Sequence, residues 1–150
     1  MTSKTFKQVI QQYLVSKKGY LKKGNLYSFS FKDITIVIGL QKSSYSNGYY
    51  INIGYVIAEL NPTLQNPRDV DGDVRCRFGF DWEGKHTDYF DLEMLSDSDS
   101  AKLERQLEEN VIRYVAPVKS LDSLKVLVQE NPTMLYQTKL SAKKLMGFEL

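Results

Sequence analysis

The stretch Ile34–Ala58, I-T-I-V-I-G-L-Q-K-S-S-Y-S-N-G-Y-Y-I-N-I-G-Y-V-I-A, decides the fold. It holds two runs rich in β-branched and aromatic residues, joined by Ser-Ser-Tyr-Ser-Asn-Gly, and reads as a β-hairpin. Asn47-Gly48 is the expected two-residue turn, because both residues tolerate positive φ. Counting back from that turn, Leu40 faces Tyr55, Gln41 faces Gly54, Ser43 faces Asn52 and Tyr45 faces Tyr50. Side chains alternate between faces with period two. One face then carries Ile34, Ile36, Ile38, Leu40, Ile51, Ile53, Tyr55 and Ile57, and must be core. The other carries Val37 and Val56, then a polar patch of Gln41, Ser43 and Asn52 beside the bare backbone of Gly54.

Around this hairpin the chain reads as helix, strands, then helices. Phe6, Val9, Ile10, Tyr13 and Leu14 form one apolar stripe and predict a helix over Thr5–Lys18. Thr2 or Ser3 can cap its start, and Gly19 can take the left-handed position at its end. Tyr27, Phe29 and Phe31 alternate with serines, as in a half-buried strand. The two-proline segment Asn61–Gly72 reads as a loop too polar to bury. Val74, Cys76, Phe78 and Phe80 alternate with Arg75, Arg77 and Gly79 in a fourth strand. A short fifth strand follows near Thr87–Leu92, after a Glu83-Gly84-Lys85 turn. Ser96–Ser100 suits a helix N-terminus. The next helix carries Leu103, Leu107, Val111, Tyr114 and Val115 and stops before Pro117. Ser120 caps another, with Leu121, Leu124 and Val128, ended at Asn131-Pro132. The tail, Met134 to Phe148, is helical in part, with Ser141 as a cap. The expected architecture is one α+β domain over 1–150: an antiparallel sheet of about five strands, one helix before it, and two or three helices after it packed on one face.

At 150 residues, 42% apolar and 25% charged, the chain can bury a sizeable core. Disorder is expected only at the ends and in the Asn61–Gly72 loop. Cys76 is alone, which excludes an intrachain disulfide framework and fits a reducing compartment. The N-terminus lacks an apolar signal core, and the longest aliphatic run is far too short to span a bilayer. The expected setting is cytoplasmic, without membrane attachment. Net charge is +2, but residues 1–50 hold eight Lys against Asp33 alone, whereas 51–110 hold fourteen acidic and six basic residues. Such polarity can serve an acidic partner or nucleic acid. Lys17, Lys18, Lys22 and Lys23 also fall where the first helix ends, where cations favour the helix dipole. No Arg-rich, aromatic-interleaved pattern accompanies them, so nucleic acid is not the expected partner.

Several of these segments resemble the bacterial domain-of-unknown-function family numbered 4304, a group of small cytoplasmic proteins. The resemblance rests on the first helix with Gly19-Tyr20-Leu21-Lys22-Lys23-Gly24-Asn25, and on Leu40-Gln41-Lys42-Ser43. It continues through Tyr50-Ile51-Asn52-Ile53-Gly54, Cys76-Arg77-Phe78-Gly79 and Trp82, covering most of the chain to about Leu127. Tyr20 stands where the family more often has Phe. The resemblance implies an α+β fold and a bacterial cytoplasmic setting, with no activity attached. By analogy only, some small bacterial families of this kind bind and block a toxin as immunity proteins.

Motifs for catalysis fail on inspection. His86, the one histidine, sits in a Gly-Lys-His-Thr turn and reads as an exposed turn residue rather than a general base. Cys76 shares a face with Phe78 and Phe80 and reads as a buried free thiol. Aligned as a calcium loop, Asp69-Val70-Asp71-Gly72-Asp73 would need Pro67 and Phe78 as ligands, which neither can be. Neither phosphate-loop pattern occurs. Carboxylate pairs such as Asp88 with Asp91, or Glu108 with Glu109, read as solvated charges. No cofactor or metal is therefore expected, and an enzyme with a divergent site is the weakest reading.

The best constellation is Gln41, Ser43, Asn52, Arg75 and Arg77, read either as a binding site or as a satisfied polar network. Two arginines on one strand face can grip a carboxylate or phosphate through paired bonds. Tyr45, Tyr49 and Tyr50 at the hairpin tip are interface candidates, since tyrosine and arginine anchor many interfaces. The leading expectation is a non-enzymatic module, immunity-type or regulatory, that binds another bacterial protein. The alternative is a small-anion or nucleic-acid binder using Arg75, Arg77 and the N-terminal lysines.

Overall fold

The computed structural model describes residues 1–21 and 23–149; Lys22, one of the expected helix-end lysines, lies outside them. Helix α1 (Ser3–Ser16) buries Phe6, Val9, Ile10 and Leu14, the stripe its spacing predicts. The Thr2 hydroxyl caps it by accepting from the Thr5 amide at 3.1 Å. Its end departs from expectation. The left-handed residue is Lys18, with φ +70°, not Gly19. A side chain at Gly19 would meet the Leu14 carbonyl and the Phe29 ring, each 2.8 Å from its Cβ. Glycine is there for space.

Strands β1 (Tyr20–Leu21), β2 (Leu26–Ser30), β3 (Ile34–Lys42), β4 (Gly48–Ile57) and β5 (Val74–Arg77) form an antiparallel sheet in that order. The expected fourth strand breaks after Arg77. Residues Phe80–Trp82 (β6) and Lys85–Thr87 (β7) form a separate hairpin, turned by Glu83 and Gly84 at φ +49° and +77°. The chain then returns as β8 (Tyr89–Asp91), which pairs with the first residues of β4, end to end with β5. The break is held by Asn110 of helix α2 (Ser100–Tyr114). Its side chain accepts from the Gly79 amide at 2.8 Å and donates to the Gly79 carbonyl at 2.7 Å, as a neighbouring strand would.

The hairpin itself is longer-looped than predicted. Leu40 pairs with Ile51, Gln41 with Tyr50 and Lys42 with Tyr49, a shift of four residues from the register counted from Asn47-Gly48. Neither residue has positive φ. Gly48 opens β4 because β8 crosses it closely: a Cβ there would lie 2.3 Å from the Tyr89 ring and 2.5 Å from the Phe90 carbonyl. An even shift leaves every side chain on its predicted face. Ile34, Ile36, Ile38, Ile51, Ile53, Tyr55 and Ile57 are accordingly buried.

The α-helices pack on that face. Phe6 of α1 stacks on Tyr49 at 5.0 Å, and the Tyr55 hydroxyl donates to the Tyr114 carbonyl of α2 at 2.7 Å. Helix α3 (Leu121–Glu130) adds Leu124, Leu127 and Val128 to the same core, and starts at the Ser120 cap as predicted. Beyond it come a 3-10 segment, Pro132–Gln137, and the short α4 (Leu140–Leu145), whose cap position is Lys139 rather than Ser141.

On the opposite face most of the Asn61–Gly72 segment is exposed, as its polarity predicts, but its end departs from the reading of a loop too polar to bury. Its 3-10 turn, Asp69–Asp71, lies on the sheet, and Asp69 is buried. The Asp69 carbonyl occupies the space a Cβ on Gly54 would need, 2.2 Å away, and its carboxylate does the same over Gly39 at 2.6–2.8 Å. Hydrogen bonds within the turn and to the sheet offset part of the cost of that burial. The Gly72 amide bonds the Asp69 carbonyl, and the Asp73 amide bonds the Tyr55 carbonyl at 2.8 Å.

Candidate functional site

Pairing places Asn52 opposite Arg77 and Gly54 opposite Arg75 across β4 and β5, with Gln41 opposite Tyr50 across β3 and β4. Gln41, Tyr50, Asn52, Arg75 and Arg77 therefore share the face away from the helices. Three of them are chained by hydrogen bonds. Asn52 Nδ2 donates to Gln41 Oε1 at 2.9 Å, and Arg77 Nε donates to Asn52 Oδ1 at 2.9 Å. Arg77 Nη1 pairs with Asp88 Oδ2 at 3.1 Å, and its guanidinium lies 4.1 Å from the centre of the Tyr50 ring. The ion pair is half-exposed and contributes at most about 1 kcal/mol. Its use is positional: ring, amide and carboxylate hold the guanidinium in one orientation.

Arg75 differs. Its stem packs over Gly72, it is exposed, and among the described residues its guanidinium makes neither hydrogen bond nor ion pair. Both arginines line one cleft of about 370 Å³ with Asn52, Cys76, Asp88 and Gln137. Gln137 arrives there because Thr138 bridges to Val74, laying the 3-10 segment along the outer edge of β5. Of the five guanidinium N–H donors on each arginine, Arg75 has all five unused by the described residues and Arg77 has three.

The remaining candidates disperse. Ser43 lies past the end of β3 and bonds the Tyr45 amide at 3.2 Å within the loop; it is not in the patch, because the true register carries the chain away there. The three tyrosines do not cluster either. Tyr45 is 99% exposed, Tyr49 is 2% exposed inside the core, and Tyr50 is bound up with Arg77 and Tyr89. His86 stands on strand β7 rather than in a turn; it is exposed and contacts the Asp81 carboxylate. The Asp69–Asp73 carboxylates diverge. Asp71 bonds the Arg68 amide at 2.8 Å, while Asp73 bonds the Ile57 amide and Asn61 and reaches Lys139.

Cys76 is half-buried with its thiol 3.9 Å from the Tyr55 hydroxyl. Burial pushes that thiol up to about 12, against the opposing effects of the Tyr55 bond and the Arg113 charge. That direction favours the protonated thiol over the nucleophilic thiolate at neutral pH. Asp88 and Gln137, the site residues missed by sequence reasoning, carried no local signal. Asp88 read as a solvated carboxylate, and Gln137 reaches the cleft only through a contact between distant segments.

The family model described as Domain of unknown function (DUF4304) matches residues 12–120. The chain belongs to that family. The DUF4304 match starts within α1 and ends at the Ser120 cap of α3. It takes in the whole sheet and every polar residue of the cleft except Gln137. Searches of curated proteins and of solved structures returned no significant match. Among the described residues no helix is long and apolar enough to cross a membrane.

Proposed function

We propose that this DUF4304 protein is a non-enzymatic binding module of the bacterial cytoplasm that receives an oxyanion, a carboxylate or phosphate borne by another bacterial protein or free, in the Arg75–Arg77 cleft. One observation carries the reading. An arginine pre-set by Tyr50, Asn52 and Asp88 stands beside a second arginine that the described residues leave unpaired. Paired guanidinium donors bind planar oxyanions strongly when little ordering remains to be done. The Asn52 and Gln137 amides supply further polar contacts along the wall. The N-terminal lysines are not part of this cleft; Lys17 and Lys18 line a separate groove.

The test is an NMR titration with inorganic phosphate, and separately with an acidic peptide ending in a free carboxylate. Saturable shifts centred on Asn52, Arg75, Arg77 and Gln137 are expected, weakened at least tenfold or so in Arg75→Ala and at high salt. Comparing the two probes separates a free anion from a protein-borne group. Absence of saturation by either, or an Arg75→Ala variant that binds as the wild type does, refutes the reading.

A further inference from the structure

A second groove, independent of the arginine cleft, opens where the C-terminal ends of α1 and α2 meet the end of β2. Its volume is about 500 Å³, and Phe29, Phe31, Val111, Val115 and Ala116 give it an apolar floor. Phe31 is 37% exposed there. Lys17, Lys18 and Lys119 line it from two separate segments of chain, and among the described residues none of the three joins an ion pair.

Lysines at helix ends often serve only the helix dipole, and the magnitudes test that account. Each helix C-terminus carries roughly half a negative charge. Two helices end here, so three lysines exceed what they offset by about two charges. The backbone makes a separate point. Lys18 occupies the left-handed region at φ +70°, where glycine would be the unstrained choice. The glycine stands one residue later, where Phe29 must pass. A lysine kept at a strained position points to a use for its side chain.

We infer that this groove docks an acidic segment of a partner protein through an apolar side chain seated on Phe29, Phe31 and Val115 and carboxylates met by Lys17, Lys18 and Lys119. Lysines arriving from two segments around an apolar floor match acids spaced along a peptide better than one anionic head group. The arrangement follows the general pattern of an apolar anchor for affinity with complementary charge for partner choice.

The experiment titrates the full chain with a fluorescein-labelled peptide of repeating Glu-Glu-Phe units, monitored by anisotropy and by amide shifts. Saturable binding is expected, with shifts at Lys18, Ser30, Phe31 and Ala116. Lys17→Gln, Lys18→Gln and Lys119→Gln combined should weaken it roughly tenfold or more, and raised salt should do the same. Phe31→Ser should weaken it several-fold without changing the salt dependence. In Arg75→Ala the saturable shifts at Lys18, Phe31 and Ala116 should persist, which separates this groove from the arginine cleft. No saturable binding, equal binding to the triple-Gln variant, or equal binding of a Glu-Glu-Ser peptide overturns the inference. Binding to phosphatidylglycerol vesicles in place of the peptide overturns it too, because it would make the groove a lipid site.

Discussion

Gly54→Ala should be among the most damaging single-methyl additions to this protein. The added carbon would sit 2.2 Å from the Asp69 carbonyl oxygen, 3.0 Å from its carbon and 3.1 Å from its Cα. Ordinary contact begins at about 3.5 Å, so the turn over the sheet must retreat by about an ångström. Both nearest obstacles are backbone atoms, which cannot swing aside like a side-chain end. A Cβ on Gly72 would likewise lie 2.6 Å from the Gly54 Cα and 3.1 Å from the Arg75 stem in the same stack. Overpacking costs typically about 1–3 kcal/mol, and an immovable obstacle places this change at the upper end, about 3 kcal/mol. For a domain of this size that lowers the melting temperature by roughly 6–12 °C. Gly24→Ala is the control: its φ is +53° with nothing within 4 Å, so it carries only the left-handed penalty of about 1–2 kcal/mol. Calorimetry and urea denaturation read both. A Gly54→Ala protein as stable as Gly24→Ala would refute the close packing of the Asp69 turn on the sheet. Oxyanion binding should weaken alongside, since the same turn supports Arg75.

Asn110→Ala should destabilise by about 2–4 kcal/mol in urea denaturation, because it strips partners from both Gly79 backbone groups; a loss under about 1 kcal/mol would mean water replaces the amide. Lys18→Gly should stabilise by about 1 kcal/mol by relieving φ +70°, while weakening the acidic peptide; a destabilised variant would contradict the strain. Stability should also fall at alkaline pH. Burial pushes Tyr13 and the Cys76 thiol up to about 12 when the chain folds, with Glu108 and Glu104 adding to the Tyr13 shift. Groups whose pKa rises on folding give stability that is whole below their unfolded pKa and lost above it. Denaturation midpoints should therefore hold near neutrality and decline from about pH 9 toward 12, less steeply in Cys76→Val; an equally steep decline in that variant would remove the thiol from the account. Cys76 should resist alkylation at pH 8 in the native protein and react on unfolding, which intact mass spectrometry reads directly.

The elements legible in the sequence were those with local causes. The α1 stripe, the Ser120 cap and the Glu83-Gly84 turn each follow from residues within a few positions of one another. The faces of β3 and β4 were legible too, even with the turn misplaced, because side-chain direction depends only on parity and the true register differs by four. Gln41 and Asn52 fell on one face for that reason, and Arg75 and Arg77 on one face of their own strand; the β4–β5 pairing joined the two sets.

What the tertiary structure alone decided has one physical cause, contact between segments far apart in the chain. The hairpin register depends on β8 crossing Gly48, and the break after Arg77 depends on Asn110 standing in for a strand. Gly54 could be read as a place of close approach, but the occupant, the Asp69 carbonyl, comes from a loop whose polarity argued against burial. The amide wall of Gln137 and the carboxylate of Asp88 reach Arg75 and Arg77 across the fold. Short-range sequence determined which side chains face together; which distant backbone fills the space between them is settled only when the whole chain packs.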